Sequence, residues 1–348
     1  MIFTSDNWAG AHPAISEALT RHATGFSAAY GTGDLDRQVE ATFNQIFERE
    51  VAVFFVGTGT AANSIGLASV AKPGGVAFCH NQAHVIEDEC GAPEFFSQLR
   101  LAPVDGPHGK MTPENLRAQI ARYPAQFVHH GQPAAVTITQ ATEIGTVYSH
   151  DEIGAISAVA KEKNLPLHMD GARFANAMVA LNSTPAKMTV DRGVDIVSFG
   201  GTKNGCWCAE ALVFFNPEMA RQVPFIRKRG AHLFSKSRFI AAQFAAYLEN
   251  GLWLELASHS NAMASRLREA ITASSKARLA WDGQTNEVFA ILPTATSTAA
   301  QDKGARFYDW PVPKGVENGP GPDETLIRLV TSFATSETDV DRFAELLG

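Results

Sequence analysis

Two short stretches of this chain end apolar runs on charged residues. Leu167-His168-Met169-Asp170-Gly171-Ala172-Arg173 delivers a carboxylate, and Ser198-Phe199-Gly200-Gly201-Thr202-Lys203 delivers an amine 33 residues later. The runs themselves, Leu165 to Met169 and Val194 to Phe199, read as buried strands. An acid and an amine at two strand ends can hold a cofactor between them. Pyridoxal phosphate (PLP) suits the pair: a lysine binds it covalently, and an acid keeps the ring nitrogen protonated so that the ring can accept electrons. Two surface loops would show the same residues, so the surrounding elements must decide.

Val51 to Val56 is a continuous apolar run that stops at Gly57-Thr58-Gly59-Thr60, ahead of a helical pattern over Ala61 to Val70. Strand, Gly/Thr turn and helix together offer backbone N–H groups and the positive end of a helix dipole to a phosphate. The turn is neither GxGxxG nor a P-loop, because the lysine of GK[ST] is missing. Taken singly it is also an ordinary strand-to-helix connection. His84 follows the short strand Gly75 to Cys79. Such a histidine is commonly a surface residue, but beside a planar cofactor its ring can lie against the cofactor's face. Ala135 to Ile138 reads as a strand with Gln140 and Thr142 at its exit, and residues 35–49, 113–122 and 150–163 read as helices, the first with Asp34 as N-cap. From residue 35 to about 215 apolar strands alternate with amphipathic helices, which predicts a mainly parallel sheet covered on both faces. Ligands bind such sheets beyond the carboxyl ends of the strands. That rule gathers Thr58 to Thr60, His84, Asp170 and Lys203 on one edge.

A long helical pattern from Phe239 to Ile271 leads into strands at Val288–Leu292, Phe307–Trp310 and Leu326–Val330 and a last helix, Glu337–Leu347. The texture predicts two domains: 1–245, which binds the cofactor and includes the N-terminal segment, and a smaller α+β domain, 246–348. Hydrophobic residues make up 45% and charged residues 19%, which excludes a disordered chain. A net charge of −7 argues against nucleic acid or an anionic membrane as partner. The basic segment from Arg227-Lys228-Arg229 to Lys236 and Arg238 reads either as a solvated loop or as an anion contact supplied to a dimer mate. The first residues lack a signal peptide's basic and apolar regions, and no run reaches the ~20 apolar residues of a membrane span. With four cysteines in no disulfide pattern, these features predict a cytoplasmic protein. Cys206-Trp207-Cys208 has no matching ligand pair, so small buried thiols and no metal are expected.

Ser5-Asp6, Tyr30-Gly31, Thr58-Gly59-Thr60-Ala61-Ala62-Asn63, Ala83-His84, His168-Met169-Asp170-Gly171-Ala172-Arg173, Thr202-Lys203 and Arg328-Leu329-Val330-Thr331 carry a resemblance. In order and spacing, over nearly the whole chain, they resemble the low-specificity L-threonine aldolases, PLP enzymes of the aspartate-aminotransferase-like fold type I. The resemblance implies an α/β fold, with a mainly parallel seven-stranded sheet sandwiched by helices and a smaller C-terminal α+β domain. It implies PLP attached to Lys203, with Asp170 on the ring nitrogen, His84 stacked on the ring and Gly59 and Thr60, beside Thr202, at the phosphate. Arg173 would sit near the cofactor's phenolic oxygen. Ser5 and Arg328, with Tyr30 and Arg173, would hold the substrate. The implied reaction is retro-aldol cleavage of L-threonine, L-allo-threonine and related β-hydroxy-α-amino acids to glycine and an aldehyde, in a homotetramer built as a dimer of dimers with composite sites. His84, His129 and His130 are the candidates for the general base. An aminotransferase or β-eliminating lyase on the same fold would use the same Lys203 and Asp170. One departure stands out: the family's glycine-rich stretch ending in Met-Arg-Gln corresponds here to residues 230–236, whose missing arginine leaves Lys236 or Arg229 to reach a phosphate.

Overall fold

The computed structural model describes every residue except 314, 315 and 317. Seven strands form the larger sheet: β1 (Ala52–Val56), β2 (Val76–His80), β3 (Arg100–Val104), β4 (Pro133–Thr139), β5 (Leu167–Gly171), β6 (Ile196–Gly200) and β7 (Glu210–Phe214). Their order is β1-β7-β6-β5-β4-β2-β3. β3, β2, β4, β5 and β6 are parallel, and β7 is antiparallel to both its neighbours. Every residue of β2, β5, β6 and β7 is buried, as expected of strands that read as unbroken apolar runs. The reversal at β7 has a local cause. Only nine residues, 201–209, separate it from β6, and a parallel crossover needs a dozen or more. Its first residue, Glu210, therefore lies opposite Gly200 at the edge where β6 ends.

Register sets the site. Asp170 pairs with Thr139 on one side and Ser198 on the other, so β4, β5 and β6 finish together. At Gly200 a Cβ would stand 2.5 Å from the Ala172 carbonyl oxygen, and only glycine lets β6 pass so close to the chain leaving β5.

The smaller sheet comprises β8 (Arg278–Leu279), β9 (Glu287–Pro293), β10 (Tyr308–Asp309) and β11 (Glu324–Val330), antiparallel in the order β10-β11-β9-β8. The helical pattern from Phe239 is two helices, Arg238–Leu248 and Leu252–Ala273. Asn250 (φ 52°) and Gly251 (φ 76°) part them in a left-handed conformation that no helix of L-residues continues through. The second helix serves both units: Trp253, Leu256 and Ala257 lie in the larger core, and Met263, Ala264, Leu267 and Ile271 in the smaller. The start of the chain touches both units. Phe3 is fully buried in the smaller core, its N–H donates to Arg306 O (2.7 Å), and its carbonyl accepts from Val330 N–H (2.8 Å). Met1 and Phe3 thus pack with the smaller unit, while Asp6, bonded to Arg173, and His12, whose N–H donates to Gly205 O (2.9 Å), lie against the larger. Gly33, not Asp34, caps its helix. No helix among the described residues is long and apolar enough to cross a membrane.

Candidate active site

A cavity of about 280 Å³ opens where β1, β4, β5 and β6 end and β7 begins; Asp170, Lys203, His84, Arg173, Thr202 and residues 57–60 line it. Asp170 is buried and held at both oxygens. Oδ1 accepts Ala172 N–H (3.0 Å), and Oδ2 accepts the Asn63 amide (2.8 Å). The same Asn63 nitrogen donates to Glu89 Oε1 (2.8 Å). With acceptors on both sides, the amide has one sensible orientation.

Asn63 lies on the helix Gly59–Ser69, which starts at Thr58. Thr58 Oγ1 accepts Ala61 N–H (3.1 Å) and Thr58 O accepts Ala62 N–H (3.1 Å). The N–H groups of Gly59 and Thr60 precede that ladder, where a helix holds partial positive charge. A Cβ added at Gly59 would meet nothing within 4 Å, so the turn has room for a ligand.

Burial, and then repulsion from Arg173, hold the Lys203 amine below its usual pKa. Arg173 belongs to a chain of alternating charges. Its Nε and Nη2 donate to Asp6 (2.8 and 3.1 Å), its Nη1 faces Glu287 (3.3 Å), and Glu287 Oε1 in turn accepts Arg328 Nη2 (2.7 Å). Asn286 adds a bond to Asp6 (3.0 Å). Burial alone would raise the Asp6 carboxyl, but Arg173 and Lys203 bring it below the ordinary range.

On the other side His84 Nδ1 meets Glu89 Oε1 (2.8 Å), and that bond raises the imidazole pKa against the effect of burial. The His84 N–H donates to Glu143 Oε1 (2.7 Å). Burial pushes Glu143 up to about 7 despite that donor. Burial does the same to Glu210, also to about 7, against its hydrogen bonds with Thr202 and the pull of Lys203.

Not every expected residue is here. His129 and His130 are exposed in the loop before β4, at the amino end of a strand whose carboxyl end carries the site; His130 Nδ1 bonds Arg122 O (2.8 Å). The sheet's polarity thus removes both as bases. Lys236 is exposed and off the cavity wall, as is Arg229, but their loop lies against the phosphate turn: His232 Nδ1 accepts Gly57 N–H (3.3 Å). Arg227 is tied to its own chain at Phe55 O (3.3 Å). Tyr30 is half exposed on a loop joined to Ser235 O (3.1 Å). Ser5 Oγ caps Asn7 N–H (3.1 Å), and Asn7 lines the cavity; Arg328 stands behind Glu287, over the Trp310 ring (4.6 Å). Of the cysteines, Cys79 and Cys206 are buried, whereas Cys90 is exposed and Cys208, half-buried, donates its thiol to Gly57 O (2.9 Å).

Sequence reasoning missed Glu89, Glu143, Glu210 and Glu287. Glu143 gave a usable signal, a lone acid between Thr142 and Ile144-Gly145-Thr146 beside a strand end, and Glu210 a lone acid opening an apolar run.

Residues 3–294 match the beta-eliminating lyase family. A low specificity L-threonine aldolase of Pseudomonas sp. is 41% identical over 88% of both chains, and one from Pseudomonas aeruginosa 39% identical over 99% of this chain and 95% of its own. The chain belongs to the low-specificity L-threonine aldolases. A threonine aldolase structure from Leishmania major superimposes with a TM-score of 0.91 at 28% identity, covering 99% of this chain and 98% of that one. Threonine aldolases are PLP-dependent. The residues present fit that cofactor: an immobilised carboxylate with spare lone pairs, a lysine amine biased toward neutrality, and an unobstructed helix N-terminus share one cavity.

Proposed function

We propose that this chain cleaves L-threonine, L-allo-threonine and related β-hydroxy-α-amino acids such as L-phenylserine to glycine and an aldehyde. The observation that carries this reading is Asp170 and Lys203 lining one cavity with the Thr58–Thr60 turn, in an aldolase relative. PLP, when bound, supplies a sink for the electron pair left on Cα. The remaining work falls to the protein. Lys203, its amine pKa lowered by burial and Arg173, would offer its nitrogen to a carbonyl carbon. Asp170, fixed by Asn63 and Ala172, would face the ring nitrogen. Gly59 and Thr60 N–H groups take the phosphate. Arg173 and Arg328, bridged by Glu287, together with Ser5 orient the substrate carboxylate and so choose which Cα bond is aligned for cleavage.

Incubation with the three amino acids, quantifying glycine and aldehyde, tests the reading. Keto acid and ammonia in place of glycine would establish the β-eliminating or transaminating alternative.

The active unit is a homo-oligomer in the cytoplasm. Phe26, Tyr30, Trp207 and Phe234 are exposed aromatics, and Phe234 packs beside Gly57, where a second copy would complete the phosphate end. Light scattering that gives a monomer for the active species would refute this assembly.

A further inference from the structure

Glu143 stands where two cavities meet. It lines the cavity of Asp170 and Lys203, and it also lines a second one, of about 520 Å³, whose wall includes Ile86, Ile144, Trp310 and Val312. One oxygen, Oε1, is held by the His84 N–H (2.7 Å); Oε2 is shielded from solvent and has no hydrogen-bond partner. Among the described residues no basic side chain forms an ion pair with it. A buried carboxylate oxygen that makes no well-formed hydrogen bond and meets no cation, with the Thr139 hydroxyl as a neighbouring donor to the group, is a costly feature for a purely structural residue.

We propose that Glu143 is the catalytic residue that takes the proton of the substrate's β-hydroxyl. This rests on the retro-aldol reading above. An amino acid with its Cα at Lys203 and its β-substituent in the second, partly apolar cavity carries Cβ and its hydroxyl past Glu143. In the step, the O–H bond breaks and its proton goes to Glu143 Oε2. The O–H electron pair becomes the second C–O bond of the aldehyde as Cα–Cβ breaks. The Cα–Cβ pair stays with Cα, which takes a proton to become glycine, and Glu143 releases the one it gained, so protons and electrons balance.

His84 is the less suitable base. Its Nδ1 is engaged by Glu89, which favours the protonated ring, and a protonated imidazole has no lone pair to accept with. Around Glu143 stand Cys79 on β2, Tyr148 on its own segment, His84, Asp170 on β5 and Arg173 beyond it. Burial first, and Asp170 as a like charge, raise the carboxyl to about 7, near the working pH of a general base.

The test is Glu143→Gln in the PLP-loaded enzyme, since glutamine keeps the size and an acceptor for His84 N–H. Cleavage of L-threonine should fall about 10²-fold or more in kcat, with KM little changed. Exchange of glycine's α-hydrogen with solvent deuterium needs no hydroxyl deprotonation and should persist, with cofactor absorbance intact. The wild-type kcat/KM should fall on the acid side of about pH 7, a limb absent from the residual activity of E143Q. In the cofactor-free protein, the infrared carboxylic-acid absorption titrating near neutrality should lose one carboxyl's share in E143Q, leaving that of Glu210. Glu143→Asp, which shortens the reach but keeps the acid, should fall between the two. Wild-type cleavage rates in E143Q, loss of exchange together with cleavage, or an unchanged infrared band would each overturn the assignment. A wild-type enzyme that forms no glycine from any of the three amino acids fails the retro-aldol reading first, and this proposal with it.

Discussion

The two ends of the cavity solve the burial of charge in opposite ways. At the arginine end Asp6, Arg173, Glu287 and Arg328 alternate in sign, with contacts of 2.7–3.3 Å between neighbours. At the other end Glu143 and Glu210 are buried and form no ion pair, Lys203 pulling on Glu210 only at a distance, and both carboxyls sit near 7. Paired charges hold one another in place and so fix geometry. Unpaired acids drift toward neutrality and become places where a proton can be held or released. On the proposed function, the difference would separate residues that orient the substrate from residues that can move its protons.

Lys203, between the two ends, gives the largest effect. Lys203→Ala should abolish the visible absorbance of bound PLP and reduce turnover to background; a yellow, active variant would refute its role. Next, Arg173→Ala breaks the alternation by stranding Asp6 and Glu287. It should cost about 3–5 kcal/mol in denaturant unfolding, along with substrate binding. A neutral result would show that the network is not what satisfies those acids. Glu89→Gln should weaken the hold on the His84 proton and lower that ring's pKa, a shift that histidine NMR titration reads directly. The smallest effect is expected at Glu210. Its folded pKa lies above its unfolded value of about 4.5, so the stability it contributes is complete below 4.5 and is lost as pH climbs through about 7. In cofactor-free protein Glu210→Gln should flatten the decline in melting temperature across that window, and an unchanged slope would remove Glu210 from the proton-holding end.

Much of this was legible in the chain itself, for a physical reason. Continuous apolar runs and strand-end glycines mark parallel strands, and parallel strands place their carboxyl ends together, so Thr58, His84, Asp170 and Lys203 could be put on one edge before any coordinates. The antiparallel β7 was hidden because a short apolar run has no direction; only the nine-residue connection before it betrays the reversal. His129 and His130 misled as bases because residue type says nothing about which end of a strand a loop serves. Glu287 and Arg328 were unreadable as partners, since they lie 41 residues apart and meet only through the β9–β11 pairing. Phe3, nearly at the other end of the chain from its core, was equally beyond periodicity.

The two hydrogen bonds that Asn63 donates to Asp170 and Glu89 have a consequence for anyone redesigning this enzyme. A single amide nitrogen ties Asp170 to Glu89, the acid bonded to His84, so substitutions at 63, 84, 89 and 170 should be epistatic. Libraries that vary these positions one at a time will undervalue combinations in which the amide, the histidine and both acids change in concert.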